Sequence, residues 1–552
     1  MSVSLTVPST DWRRLATRAL PIVILLAAWA LRLHALGAKS LWYDELRQIE
    51  VAQNPLDQFA PLLIEHAARP LDYVITHFML PFAGPADGPV GRAEFWLRFP
   101  AALWGLLSVA VFLPLARRWL SRPAAWAAVA MLAVAPLGVQ YAQELRPYAA
   151  YLLFSLLSFY FLDCALGLGP RPARAPGWSW LGFALVSAAG TLTHFFYVFL
   201  LFAQAVFVAG LFLAEWFTAR RRAGRPGRVS WRGLLAFMAG AAAGVGAFLI
   251  DFPFGHASPY VTDFIAALAH LPSAGGLVSD SGAAVQLSET LNADFFFRGV
   301  FPFFGGGEGV ALVLFGGLAL LGLIVLARRD GARLAGALLW LLLAPGLVII
   351  YLQYRQQFFA LRYILYALPI YLLLVAAALA ALARAVQRRW PSLPMPGGWL
   401  LHPGWALYGA GLALLMIFQL QRVAFNYRVP KDDWRRAGEF LTLNTRLGDT
   451  LGAPDVQAFI RFYAPHQPAI IVDANDLGPH KEALANGERF WFVLSGYTLV
   501  PVDETQQWAT SLPGVTIALD PLIKVIFVDP NATQAQMLDE ARKFVIPPPS
   551  NP

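Results

Sequence analysis

The sequence predicts a polytopic α-helical membrane protein of about eleven transmembrane helices, with a small C-terminal α/β domain outside the membrane. Of its 552 residues, 58% are hydrophobic and only 14% are charged, whereas soluble proteins carry roughly 25% charged residues. The apolar residues form runs long enough to cross a bilayer, which takes about 20 residues. From Lys431 onward the composition becomes that of a soluble protein. These observations exclude a soluble enzyme and a disordered chain, and the single cysteine, Cys164, allows no intrachain disulfide.

The apolar runs define the predicted spans. They lie near residues 19–36, 98–116, 123–141, 147–166, 179–195, 197–217, 232–252, 309–327, 334–352, 363–383 and 404–422. A further run at 71–84 is too short to cross and is broken by Pro81. It predicts a re-entrant or interfacial helix.

Six clusters of arginine predict the orientation of the spans. They lie at residues 13–18, 117–122, 171–174, 220–228, 328–333 and 384–389. With eleven spans all six fall on one side, which the positive-inside rule makes cytoplasmic. The N-terminus is then cytoplasmic, and the segments 37–97, 253–308 and 423–552 lie outside. The net charge of +8 is explained by these loops and does not indicate nucleic-acid binding.

We therefore expect a multi-pass protein of a bacterial inner membrane, with a transmembrane domain over residues 1–425. Apolar strand-like runs at 469–472, 490–494 and 522–528 alternate with helical stretches at 434–443, 456–463 and 503–511. This alternation predicts a periplasmic α/β domain over residues 430–545. The tail 546–552 is rich in proline and is predicted to be disordered.

The spans carry few ionisable residues, and charges gather where they meet the outer surface. The first cluster, Leu41-Trp42-Tyr43-Asp44-Glu45-Leu46-Arg47, follows span 1. On a helix Asp44 and Arg47 share a face while Glu45 points away. This pattern places an acid and a cation at the bilayer edge. The alternative is a salt bridge in a loop beside an aromatic belt.

A second cluster, Tyr141-Ala142-Gln143-Glu144-Leu145-Arg146-Pro147-Tyr148, lies between spans 3 and 4 on the same predicted side. It again pairs a carboxylate, Glu144, with a nearby cation, Arg146. Pro147 suits the first turn of a helix, so Glu144 could instead be an acid at a helix start. Recurrence of the same chemistry on one side favours a functional cluster.

These motifs resemble the GT-C superfamily of membrane glycosyltransferases, in the family 39-like branch of protein O-mannosyltransferases and lipid A aminoarabinose transferases. The resemblance covers roughly residues 17–385. It is carried by WYDE after span 1, QELRPYA before span 4, Arg362-Tyr363 with Pro369, Arg98-Phe99-Pro100-Ala101-Ala102-Leu103 and Thr193-His194-Phe195-Phe196.

The resemblance implies an inverting enzyme that moves a sugar from a polyprenyl-phosphate donor to a lipid, glycan or protein acceptor at the outer membrane face. It makes Asp44 the catalytic carboxylate, because an acceptor hydroxyl reacts poorly until a carboxylate takes its proton. Fixed cations would stabilise the leaving phosphate. Arg47 is the first candidate, followed by Arg146 and Arg362. Further site candidates are Glu144 as a second catalytic carboxylate, Glu45, Tyr43, Tyr148, His194 and Tyr363.

Three details of the pattern leave alternatives open. The family often has His-(Lys)-Pro-Pro-Leu-Tyr-Tyr in the first outside loop, whereas this chain has Arg69 in place of the first proline, within His66–Tyr73. Arg69 is either a phosphate-binding cation or an ordinary interfacial arginine. His194 lies at a turn, where packing is a more common role than ligation. No metal site is predicted, but Mg²⁺ or Mn²⁺ held by Asp44 and Glu144 is an alternative, since such ions prefer carboxylates.

Two other functions compete with the glycosyltransferase. A ligase or polymerase that moves a glycan from a polyprenyl diphosphate would favour arginine-rich outside sites and lacks the WYDE signal. A flippase or transporter of lipid-linked sugars would normally carry ionisable groups inside the bilayer. The nearly uncharged spans count against the transporter.

Overall fold

The computed structural model describes thirteen stretches of the chain. These are residues 12–65, 69–84, 91–168, 176–219, 231–250, 300–354, 359–390, 392–394, 400–429, 431–453, 456–472, 477–495 and 504–549. Most of the predicted outside loop 253–308 therefore lies outside the described residues, as does His66 with its two following alanines.

The membrane half is a bundle of long apolar helices. They are α1 (Trp12–Leu33), α5 (Arg92–Trp119), α6 (Arg122–Ala133), α8 (Tyr148–Ala165), α9 (Pro176–Thr193), α10 (Tyr197–Ala219), α11 (Trp231–Ile250), α13 (Val310–Ala327), α14 (Gly331–Leu338), α15 (Ala344–Tyr354), α16 (Leu368–Arg389) and α17 (Pro403–Arg428). Four short helices lie in segments predicted to be outside the membrane: α2 (Tyr43–Ala52), α3 (Phe59–Glu65), α4 (Pro70–Ala83) and α12 (Phe301–Gly305). A fifth short helix, α7 (Pro136–Gln140), continues the predicted third span after α6.

Every predicted span coincides with helix. Within the described residues, seven helices are long and apolar enough to cross a membrane, or eight if the pair α6–α7 counts as one bent span. The count of eleven therefore stays a prediction. The predicted span at 334–352 is α14 and α15 joined by a π-helical turn, Leu339–Leu343. Helix α4 has 14 residues and so measures about 21 Å, less than the ~30 Å hydrocarbon core. Pro81 lies within the last turn of α4, which continues to Ala83.

Helix α16 lies at the centre of the bundle, because 94% of the most apolar 18 residues within Leu361–Arg389 are buried. By contrast, α13 exposes a row of apolar side chains that includes Val310, Val313, Leu320 and Ile324. Such a surface is stable against lipid tails and not against water. The two patterns mark an interior helix and a lipid-facing helix.

Contacts between distant loops place them at the two ends of the bundle. At one end the Arg333 guanidinium donates to the carbonyl oxygens of Arg118 at 2.7 Å and of Leu168 at 2.8 Å. At the other end the Lys39 ammonium donates to the carbonyls of Asn426 at 2.8 Å and Val429 at 2.7 Å. Arg118 and Arg333, from two predicted cytoplasmic clusters, therefore share one end.

The C-terminal region, residues 431–549, contains a five-stranded mixed sheet. Two short strands, β1 (Leu393–Pro394) and β2 (Leu400–Leu401), precede it as a separate antiparallel pair. The sheet has the order β4-β3-β5-β7-β6, with β3 parallel to β4 and β5 and the other neighbours antiparallel. Its strands are β3 (Thr450–Gly452), β4 (Ile470–Val472), β5 (Phe490–Ser495), β6 (Val515–Ala518) and β7 (Ile523–Val528). Its helices are α18 (Trp434–Asn444), α19 (Gln457–Tyr463), α20 (Gly478–Ala485), α21 (Glu504–Ser511) and α22 (Gln534–Ala541). Residues 546–549 are described, and the Pro547 carbonyl accepts from Arg436 Nε at 2.7 Å.

The C-terminal region packs directly on the end of the bundle that carries Lys39, which is the predicted outer end and is called the outer end below. Leu46 of α2 and Leu97 of α5 share a hydrophobic core with Trp434 of α18. Around this core, Glu94 accepts from Arg435 at 2.5 Å and from the Tyr463 hydroxyl at 2.9 Å. The interface is thus partly apolar and partly a buried polar network, so side chains of the C-terminal region are held at fixed positions beside the outer loops.

Candidate functional site

Asp44 lies in the first turn of α2, at the outer end of the bundle. Its carboxylate is 26% exposed and faces two guanidinium groups, Arg362 Nη2 at 3.5 Å and Arg146 Nε at 4.0 Å. Arg146 Nη1 also donates to the Asp44 carbonyl at 3.1 Å. At these distances the ion pairs are loose, so the Asp44 carboxylate keeps room for another partner.

Local backbone features bring the two arginines to Asp44. The pair α6–α7 bends by 52° next to Pro136, which lacks the N–H needed to continue the helix. After the bend the chain passes through a 3₁₀ turn, Tyr141–Gln143, and turns extended at Glu144 before Arg146. Arg362 comes from another 3₁₀ turn, Leu361–Ala367, which precedes α16. Three segments far apart in the sequence thus meet at one point.

Aromatic rings fix the position of Arg362. Its guanidinium carbon lies 5.3 Å from the ring centre of Trp42 and 5.6 Å from those of Tyr148 and Tyr363. Cation–π contacts of this kind are attractive, and more so when the cation is desolvated. Of the predicted candidates, Tyr148 and Tyr363 are therefore brought to the Asp44 cluster.

Glu45, the neighbour of Asp44, has a different environment. Its side chain is fully buried and accepts two bonds from Arg98, at 2.8 and 2.7 Å, and one from the Leu145 amide at 2.7 Å. Burial alone would raise the pKa of Glu45, but the Arg98 charge and these hydrogen bonds lower it to about 2. Glu45 therefore ties α2 to α5 and to the loop before α8.

Arg47, the first candidate for the phosphate, does not face Asp44. Its guanidinium donates to the Tyr43 hydroxyl at 3.1 and 3.0 Å and to Glu50 at 3.0 Å, and its side chain is 40% exposed. Residues three and four apart on a helix are neighbours, so Tyr43 and Glu50 compete with Asp44 for Arg47. The structure thus places Arg47 and Tyr43 in a separate, outward-facing pair.

Arg69 and His194 lie deeper in the bundle. Arg69 is buried, and its Nε donates to the Thr191 carbonyl of α9 at 2.9 Å. His194 stacks on Tyr151 with ring centres 4.8 Å apart, and its Nδ1 accepts from the Phe196 amide at 3.2 Å. The His194 ring also lies 5.5 Å from the ring centre of Tyr148. His194 is thus a packing residue in the layer beneath the Asp44 cluster.

Glu144 is buried and faces Lys431 of the C-terminal region. Its carboxylate lies 3.8 Å from the Lys431 ammonium, and it lines a cavity of about 290 Å³. Burial raises the pKa of Glu144, the Lys431 charge lowers it, and the nearby Glu45 raises it. The net pKa shift is upward.

Sequence reasoning missed three residues of the site. Trp42 contacts both Arg362, at 5.3 Å, and Lys431, at 5.6 Å, and so connects the two carboxylate clusters. In the sequence, Lys431 marks only the point where the composition becomes that of a soluble protein. Asp72 is buried and accepts from Gln48 Nε2 at 2.5 Å, and burial raises its pKa to about 6. Trp42 is the one of the three that the sequence could have indicated, because it lies in the WYDE string two residues before Asp44.

The site does not fit the divalent cation considered as an alternative. Within the described stretches, no three His, Cys, Asp or Glu side chains converge as a metal site would require. Asp44 faces two guanidinium groups and Glu144 faces an ammonium. Arg146, Arg362 and Lys431 thus already balance the charge of the two carboxylates that a Mg²⁺ or Mn²⁺ ion would use.

Comparisons with known proteins concern the fold and one part of the sequence. A family model described as dolichyl-phosphate-mannose-protein mannosyltransferase matches residues 90–246. Searching curated protein sequences produces no match. Among solved structures, ArnT from Cupriavidus metallidurans bound to undecaprenyl phosphate is similar, with a TM-score of 0.53, 15% identity, and coverage of 93% of this chain and 98% of that chain. The archaeal oligosaccharyltransferase AglB from Archaeoglobus fulgidus, in complex with an inhibitory peptide and a dolichol-phosphate, has a TM-score of 0.50 and 14% identity, and the match covers 88% of this chain and 70% of that chain.

The fold is therefore that of the GT-C membrane glycosyltransferases, and the chain is a multi-pass membrane protein. The resemblance to the branch of protein mannosyltransferases and aminoarabinose transferases agrees with the family model over residues 90–246 and with the fold of ArnT.

Proposed function

We propose that this protein is an inverting glycosyltransferase that moves a sugar from a polyprenyl-phosphate donor to a hydroxyl or phosphate acceptor at the outer face of the membrane. The observation that carries the proposal is the partly exposed Asp44 carboxylate, loosely held between Arg146 and Arg362 at one end of the bundle. The ArnT structure bound to undecaprenyl phosphate supports a lipid-phosphate donor.

The charges of the cluster suit the chemistry of such a transfer. As the glycosidic bond breaks, the phosphate gains charge, and preorganised cations stabilise it. A guanidinium carries five N–H donors, so Arg362 and Arg146 can bind phosphate oxygens while still near Asp44. The Asp44 carboxylate then takes the proton of the attacking acceptor. Tyr148 and Tyr363 hold Arg362 in place through their ring faces.

Lipid-tail burial gives the donor location more than affinity. Each buried CH₂ gains about 0.8 kcal/mol relative to water, but little relative to the bilayer that the tail already occupies. Recognition must therefore come from the phosphate and the sugar. This favours the two arginines as the main determinants of donor binding.

The proposal is tested by native mass spectrometry of the purified protein with added undecaprenyl phosphate. We expect a bound adduct in the wild type and a clearly weaker one in Arg362→Gln. Arg47→Gln is the matched control. It removes an arginine charge from the same end of the bundle, but Arg47 pairs with Glu50 and not with Asp44. Equal adducts in wild type, Arg362→Gln and an Arg146→Gln, Arg362→Gln double variant would refute the donor assignment.

We also propose that the transmembrane domain ends near residue 425, and that residues 430–545 form an extracytoplasmic domain of a bacterial inner-membrane protein. In a Cys164→Ser background, Leu447→Cys, at a side chain that is 91% exposed, should react with an impermeant maleimide on intact spheroplasts. Arg329→Cys, on the exposed predicted cytoplasmic end of α13, should react only after permeabilisation. The reverse pattern would place the C-terminal region inside.

A further inference from the structure

The two carboxylate clusters at the outer end are joined by a single tryptophan. The Trp42 ring contacts Arg362, which pairs with Asp44. The same ring contacts Lys431, which faces Glu144. The Asp44 cluster belongs entirely to the membrane half. The Glu144 cluster takes its cation from the C-terminal region.

Glu144 is a buried acid that borders a cavity. Only 6% of the residue is exposed, and within the described residues its carboxylate has an ion pair to Lys431 at 3.8 Å. That distance is beyond a hydrogen bond. Buried carboxylates normally accept several hydrogen bonds, so a carboxylate that borders a cavity with one loose partner has capacity for a ligand.

The cavity beside Glu144 is small and lined by cations. It measures about 290 Å³, and its polar lining includes Lys39, Arg98, Arg422 and Lys431. Pockets for drug-sized ligands run from about 300 to 1,000 Å³, so this cavity fits a small head group such as one sugar ring. It continues into a second cavity of about 450 Å³ that shares Lys39 and Lys431 and reaches Arg436.

We propose that this cavity is the acceptor half of the active site and that the C-terminal region completes it by supplying Lys431. Glu144 accepts a hydrogen bond from a hydroxyl of the acceptor, and Lys431 is the positioning residue that holds the Glu144 carboxylate toward the cavity. The inference rests on the proposed transfer reaction and adds the side from which the acceptor enters.

Fixed contacts keep Lys431 in place. The residues that follow it are anchored to the bundle, because the Trp434 amide donates to Ser40 Oγ at 3.3 Å and Arg435 donates to Glu94 at 2.5 Å. The Asp432 carbonyl also accepts from Ser40 Oγ. A lysine bracketed by these contacts reports the docking of the whole C-terminal region.

Several charged or titratable groups surround Glu144 and set the background for a test. The charged groups of the membrane half are Glu45, Arg98, Arg362 and Lys39, the neutral phenol of Tyr141 also lies near, and the C-terminal region supplies Lys431. Burial, followed by the charges of Lys431 and Arg98, lowers the pKa of Lys39 to about 8. The crowding of cations agrees with a cavity that awaits a polar or negatively polarised ligand.

The first experiment follows the ionisation of Glu144 without any substrate. The protein is labelled with 5-fluorotryptophan, and the ¹⁹F resonance of Trp42 is assigned among the 18 tryptophans by Trp42→Phe. We expect a pH titration of this resonance that disappears in Glu144→Gln. In Lys431→Gln the midpoint should move to higher pH by about one to three units, the range for a charge pair about 4 Å apart.

Two controls accompany this titration. Lys431→Arg should restore the midpoint, and Lys481→Gln, at an exposed lysine of α20, should leave it unchanged. A midpoint that does not move in Lys431→Gln overturns the pairing, as does a titration that persists in Glu144→Gln.

The second experiment separates the acceptor half from the donor half. Undecaprenyl phosphate binding, measured on the same variants, should stay within about twofold in Lys431→Gln and fall at least about tenfold in Arg362→Gln. An equal loss in Lys431→Gln would move Lys431 to the donor side and overturn the inference. Unchanged binding in Arg362→Gln, with the Trp42 titration as expected, would instead contradict the proposed function alone.

Discussion

Asp44 and Glu45 are adjacent acids, yet the fold gives their carboxylates opposite environments. Glu45 is fully buried and makes close, bidentate bonds to Arg98 at 2.7 and 2.8 Å. Asp44 is 26% exposed and lies 3.5 and 4.0 Å from its two arginines. Removing one partner of a buried, hydrogen-bonded pair leaves an uncompensated charge. Loose pairs in a partly exposed cluster can instead exchange partners with a ligand.

The comparison teaches that charge alone does not mark a site in this protein. Three of the carboxylate–arginine contacts among the described residues at this end illustrate the difference. The Arg47–Glu50 pair is exposed and worth little, whereas the Glu45–Arg98 pair is buried and holds the fold. The Asp44 cluster combines partial burial with longer distances to its two arginines. This division would be wrong if Asp44→Asn lowered stability rather than transfer, or if Glu45→Gln lowered transfer rather than stability.

The largest expected effect is on transfer by Asp44→Asn. This change keeps the shape of the side chain and removes its proton affinity, so we expect transfer to fall by about 10²–10⁴-fold. The rate is measured as sugar transfer from an added polyprenyl-phosphate sugar donor. The thermal unfolding midpoint should stay close to that of the wild type. Full transfer activity in a folded Asp44→Asn protein would remove Asp44 from the chemistry.

Glu45→Gln should show the reverse pattern, with a loss of stability first. Breaking a buried ion pair typically costs about 3–5 kcal/mol, which should appear as a lower thermal unfolding midpoint in detergent. The matched control is Glu50→Gln, because Glu50 forms an exposed pair with Arg47 and should cost less than about 1 kcal/mol. A Glu45→Gln protein as stable as Glu50→Gln would show that the Arg98 pair does not hold the outer loops.

Arg362→Gln tests the donor side of the Asp44 cluster. A lost charge-assisted hydrogen bond costs about 1.5–3 kcal/mol, so undecaprenyl phosphate should bind about 10- to 100-fold more weakly. Arg47→Gln should bind it like the wild type, since Arg47 faces Tyr43 and Glu50. A larger loss in Arg47→Gln than in Arg362→Gln would restore the sequence-based ranking of the cations.

A smaller effect is the pH dependence of stability from Glu45. Its pKa is about 2 in the folded protein, against an ordinary value of 4.5, so the unfolded chain binds this proton more tightly. The stabilisation is complete above about pH 4.5 and is lost as the pH falls toward 2. The difference in unfolding midpoint between wild type and Glu45→Gln should therefore shrink below pH 4.5. A difference that grows on acidification would mean that Glu45 is not held ionised by Arg98.

The smallest expected effect is that of chelation. Because cations occupy the positions around Asp44 and Glu144, treatment with EDTA should leave transfer unchanged. Activity that is lost with EDTA and restored by Mn²⁺ or Mg²⁺ would show that a metal is held by residues outside the described stretches or by the substrate itself.

The sequence by itself determined where the long apolar helices lie, because a bilayer-spanning helix must be about 20 apolar residues long wherever it occurs. It also identified the GT-C resemblance, since WYDE and QELRPYA are local strings. In the C-terminal region the strands β4, β5 and β7 were predicted from their apolar runs, whereas β3 and β6 and the helices α20 and α22 were missed. Strands β3 and β6 contain glycine, threonine or alanine beside few large apolar residues, so neither forms an apolar run that stands out.

Only the tertiary structure decided which charges meet. The spacing of Asp44 and Arg47 on one helix favoured their pairing, but Tyr43 and Glu50 hold Arg47, and Asp44 faces Arg146 and Arg362 from distant turns. Lys431, nearly 300 residues after Glu144 in the sequence, reaches it because α18 docks on the outer loops. Electrostatic energy depends on distance and burial, and neither can be read from spacing along the chain.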